Sequence, residues 1–116
     1  MYQEAIDQFQ YCVKVSGGLP AMLALLGHAY AAAGRQSEAE ATLDELQAMA
    51  QKRYVPSYSI AAIYAALGGP DDAFTWLERA YDERDSWMVY LGLDPRLDRL
   101  QADPRLATLL NRIQLS

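Results

Sequence analysis

Catalysis starts from side chains that can move a proton, hold a metal or attack a carbon, and this chain offers few of them in useful combinations. His28 is the only histidine and Cys12 the only cysteine, so neither a multi-ligand metal set nor a Cys–His nucleophile pair can be built around them. His28 reads as a groove-lining or partly buried ring. Cys12, on the same apolar side as Phe9, reads as a small core residue rather than a reactive thiol. Asp82, Glu83 and Asp85 cluster beside Arg79 and Arg84. Helical spacing pairs Glu78 with Asp82 and Arg79 with Glu83, which describes a solvated face, whereas acid–base work needs a cleft. Gly17-Gly18 and Gly68-Gly69 lack the following lysine of a phosphate-cradling loop. Trp76, Tyr81, Trp87 and Tyr90 read as packing. The residues imply no enzyme, no cofactor and no metal.

Charge narrows the partners. Ten Lys and Arg stand against 15 Asp and Glu, a net charge of −5, the wrong sign for following phosphate backbones or anionic lipid. Arg96, Arg99, Arg105 and Arg112 alternate with Asp94, Asp98 and Asp103, so no direct nucleic-acid partner is expected. The longest apolar stretches, such as Leu19 to Leu26 and Ile60 to Leu67, fall well short of the ~20 residues of a membrane span. Residues Met1 to Gln10 carry Glu4 and Asp7 and no basic start before an apolar run, so no secretory signal is read. With a single cysteine, the expected place is the cytoplasm. At 116 residues, 52% apolar and 22% charged, one folded domain is expected.

The elements that must position these residues follow from a period of 34 residues. Ala5, Ala39 and Ala73 keep that step, as do Phe9, Leu43 and Leu77, Tyr30 with Tyr64, Leu26 with Ile60, Gly27 with Ala61, and Gly34 with Gly68. Small residues belong where paired helices come closest. Large ones at three- and four-residue steps, such as Leu23, Leu26, Tyr30, Leu43 and Leu46, form a buried stripe on each helix. Helices are expected near residues 2–16, 20–33, 37–51, 56–67 and 70–84. Gly34 and Gly68 stand at left-handed C-terminal positions, Pro20, Pro56 and Pro70 at starts, and Asp71 and Asp72 in a first turn. Asp94-Pro95-Arg96-Leu97 and Asp103-Pro104-Arg105-Leu106 are two copies of one helix-start signal, predicting two short helices after one over Trp87 to Leu93.

The period and the sequences Leu26-Gly27-His28-Ala29-Tyr30 with Ala39 to Leu43, and Ile60-Ala61-Ala62-Ile63-Tyr64 with Ala73 to Leu77, resemble the tetratricopeptide repeat. The likeness covers roughly Met1 to Asp85. Leu23 and Ser57 stand where that family often has Trp, and Gly17, Gln51 and Asp85 replace its late Pro. The resemblance implies an all-α, antiparallel helix-hairpin solenoid in one domain, 1–116: a half repeat at 1–17, repeats at 20–53 and 54–87, and a capping segment at 88–116. Trp87-Met88-Val89-Tyr90-Leu91 with the paired Asp-Pro-Arg-Leu units is similar to the ends of repeat arrays attached to bacterial signalling and transcription-regulatory proteins.

By the same resemblance, an inner wall is lined by Ala21, Ala24, Leu25, His28, Ala31 and Ala32, then Val55, Tyr58, Ser59, Ala62, Ala65 and Ala66. It carries no Lys, Arg or Asn with which to clamp a carboxylate. An apolar groove of this kind suits a peptide or helix of another protein, with Ala24, Leu25, His28, Ala31, Val55, Tyr58, Ser59, Ala62 and Ala65 as its contact residues. The chain's own tail or a neighbouring copy competes for the same place. Ile6, Phe9 and Val13 stand on a lone second helix without the helix they would normally cover, so either a longer parent chain supplies that helix or two copies pack their open ends together as a homodimer. The alternative function is a self-associating structural or regulatory module, the C-terminal part of a larger bacterial signalling or transcription-regulatory protein.

Overall fold

The computed structural model describes residues 2–52, 55–84, 88, 91 and 94–115, the backbone alone at 95, 98, 114 and 115. It is all-helical, with no strand among the described residues. Helix α1 spans Tyr2–Ser16, α2 Pro20–Ala32, α3 Gln36–Ala50, α4 Ser57–Ala66 and α5 Pro70–Asp82. A 3-10 helix at Pro95–Leu100 and helix α6 at Pro104–Leu115 follow. The contacts fall into two compact units, Met1–Val55 and Pro56–Ser116. In the first, α1 and α3 pack on α2; in the second, α5 and the 3-10 helix pack on α4, and α6 on α5.

Two kinds of helix alternate. Helices α2 and α4 carry no Asp, Glu, Lys or Arg, and a helix that is apolar all round is stable only when covered on most sides. Helices α3 and α5 are amphipathic. Ala39, Thr42, Leu43 and Leu46 are buried along one side of α3, and Ala73, Phe74, Leu77 and Ala80 along one side of α5. The three- and four-residue steps between them make a single stripe.

The ends are set by local chemistry. After α2, Gly34 adopts φ 79°, which lets the Arg35 N–H donate to the Tyr30 carbonyl at 2.9 Å. After α4, Gly68 takes the same φ and the Gly69 N–H donates to the Tyr64 carbonyl at 3.0 Å. Both are the double-bonded stop that a left-handed residue permits. Pro20 and Pro70 are first helical residues, whereas Pro56 stands one residue ahead of α4.

The tail departs from two short helices. Its first Asp-Pro-Arg-Leu unit opens a 3-10 helix and its second a 12-residue α-helix. Six residues give an α-helix little length to form, and the three-residue turn of the 3-10 form sets Leu97 and Leu100 one above the other. Both are buried. The helix expected over Trp87 to Leu93 lies mainly outside the described residues. Of that stretch Met88 and Leu91 are described, and both are buried.

The backbone at the stops predicts stability changes in opposite directions. A Cβ at Gly34 meets nothing within 4 Å, so Gly34→Ala costs backbone strain alone, about 1–2 kcal/mol in urea denaturation. Arg84 holds φ 56° after α5, and Arg84→Gly gains up to about 1 kcal/mol. An unchanged midpoint in both variants would remove the left-handed assignment.

Candidate functional site

In the second unit the tail settles what covers α4. Tyr58, Ala61, Ala62 and Ala65 of α4 and Ala73, Phe74, Leu77 and Ala80 of α5 share one core with Met88, Leu91, Leu97, Leu100, Leu106 and Leu109. Trp76, Tyr81, Leu110 and Ile113 are packed against it, partly buried. Trp76 and Tyr81 therefore pack as expected, while Trp87 and Tyr90 lie outside the described residues.

Each Asp-Pro-Arg-Leu unit also forms a staple. The Asp94 carboxylate accepts from the Arg96 backbone N–H at 2.9 Å and from its guanidinium at 2.8 Å. The Tyr58 hydroxyl donates to it at 2.8 Å, and the Arg96 guanidinium lies over the Tyr58 ring, 5.7 Å from its centre. Asp103 repeats the pattern with Arg105, whose guanidinium lies 4.5 Å from the centre of Phe74 and also reaches Asp71 at 2.9 Å. Further on, Arg112 pairs with Glu78 and lies over Tyr81. Arg99 donates to the Ala66 carbonyl at 2.9 Å, at the end of α4.

These contacts set the ionisation of the tail. Partial burial opposes the charge on Asp94, but hydrogen bonds from Arg96 and from the Tyr58 hydroxyl outweigh it and hold the carboxyl below the usual aspartate value. Bonds from the Arg105 side chain and backbone do the same for Asp103. Hydrogen bonding to Glu78 raises Arg112.

The groove residues fare unequally. Tyr58, Ala62 and Ala65 do not face an open trough, because the tail's apolar side chains share their core and bury them. Val55, Ala24 and Ala31 are buried too, and Leu25, His28 and Ser59 are half-buried. On α2 the part-open stripe is Ala21, Leu25, His28 and Ala32, spaced as one helix side.

The exposed large apolar side chains among the described residues are instead Tyr2, Tyr11, Val15 and Leu19, all on α1 or the turn after it. A comparison at the 34-residue step sharpens this. Ala39 and Ala73 are fully buried where Ala5 is half-buried; Thr42 is buried and Trp76 half-buried where Gln8 is exposed; Leu46 and Ala80 are fully buried where Cys12 is half-buried. Ala5, Gln8 and Cys12, spaced three and four apart, therefore form a seam on α1 that α3 has closed and α5 has closed but for the half-buried Trp76; Val15 continues it, with the half-buried Met49 and the exposed Glu83 at its own corresponding places. The signal for it in the sequence is that α1 aligns with the second helix of each hairpin.

Compared with protein families, with curated proteins and with solved structures, the chain finds no match. The described residues offer no group of three or more His, Cys, Asp or Glu placed to hold a metal. Arg79 and Glu83 pair at 3.3 Å on an exposed face, and Glu83 also accepts from the Ser57 hydroxyl at 2.7 Å. No helix among the described residues is long and apolar enough to cross a membrane.

The tail's burial predicts large effects from small changes. Leu97→Ala costs about 2–5 kcal/mol, and Tyr58→Phe about 1 kcal/mol through the hydroxyl lost to Asp94, both read from denaturant midpoints. The folded Asp94 carboxyl titrates below its unfolded value of about 3.9. Its contribution is complete above that value and is lost as pH falls through the lower one. The melting temperature should therefore fall below about pH 4, and fall less in Asp94→Asn. An equally steep acid loss in that variant would assign the effect to other carboxylates.

Proposed function

We propose that the chain is a tetratricopeptide-like protein–protein interaction scaffold that binds a helix of another polypeptide, with no catalytic role of its own. The 34-residue register, the charge-free helices α2 and α4 and the left-handed stops after them support the repeat reading. The observation that carries the binding role is the α1 seam, where Ala5 and Cys12 are half-buried at places fully buried in α3 and α5 and Val15 is exposed beside them.

The expected trough is the less suitable place on α4, since Tyr58, Ala62 and Ala65 already have the tail's leucines as neighbours. The stripe Ala21, Leu25, His28 and Ala32 on α2 keeps part of that surface available. On α1 the open residues are larger: Tyr11 is 66% exposed and Val15 63%, with Leu19, in the turn after the helix, at 46%. Apolar residues at helical spacing, flanked by Glu4 and Lys14, suit a helix laid along them.

The same exposed residues favour one second reading, self-association through α1, which fits a structural or regulatory module. Affinity capture from lysate with the chain and with a Val15→Asp, Leu19→Asp variant tests the first. A protein should be retained by the chain and lost by the variant, with helicity by circular dichroism unchanged. Equal retention by both would move the site off α1. Sedimentation of the pure chain tests the second, which requires a dimer that the same two substitutions dissociate.

A further inference from the structure

We draw no further inference here: the strongest candidate, the part-open surface stripe of Ala21, Leu25, His28 and Ala32 along α2, lies on a helix side for which nothing in the structure shows what covers it.

Discussion

A helix with no charged side chain has to be covered on nearly every side before it is stable in water, and most of this architecture follows from α2 and α4 being such helices. Eight of the ten residues of α4 are buried, which no single amphipathic neighbour could achieve. Helix α5 covers one side, and the 3-10 helix covers another with Leu97 and Leu100. The tail is therefore a structural part of the second unit and not an appendage. In the first unit α2 stands between α1 and α3, so it too receives two neighbours, and a narrower stripe of it stays accessible.

Arginine holds this apolar construction together at its edges. Arg35, Arg79, Arg96, Arg105 and Arg112 each lie over an aromatic ring at 4.5–5.7 Å from its centre, and each also meets a carboxylate. The planar guanidinium can do both at once, stacking through its face and donating through its edge, which a lysine ammonium cannot. Cations committed in this way offer little to a polyanion. A carboxylate that keeps its charge in acid, as Asp94 does, keeps its staple fastened over the same range.

What was legible in the sequence was what local chemistry decides. Gly34 and Gly68 end helices because a left-handed residue is needed there, and Pro20 and Pro70 begin them because a first-turn N–H is dispensable. The 34-residue step placed Ala39 and Ala73 correctly in the buried stripe. The destination of the tail was legible only as an alternative, one of the competitors for the groove. Leucines at 97, 100, 106 and 109 mark an apolar face without naming the helix that receives it, and only the folded chain puts them against α4 and α5. The staples escaped for a related reason. Residues two apart, such as Asp94 and Arg96, are not neighbours on a helix, and they meet here because the Asp stands before the first turn. From the sequence, Tyr58, Ala62 and Ala65 read as a wall that a partner, the tail or a second copy could cover; with the tail in place, they are core.

The consequence for binding is a shift from trough to flank. On α4 a ligand would have to displace fully buried leucines, each worth about 1.5–3 kcal/mol of burial, before making any contact of its own. On α1 none of the described residues covers the seam, but the seam supplies less: Ala5 and Cys12 are small, Gln8 is polar, and Val15, with Leu19 in the turn after the helix, provides the larger apolar surface. An arriving helix must then contribute much of the apolar area itself and also bear the cost of immobilisation. That combination favours modest affinity. For the scaffold role proposed above, a partner held nearby offsets that modest affinity, because tethering raises the effective concentration without any new contact.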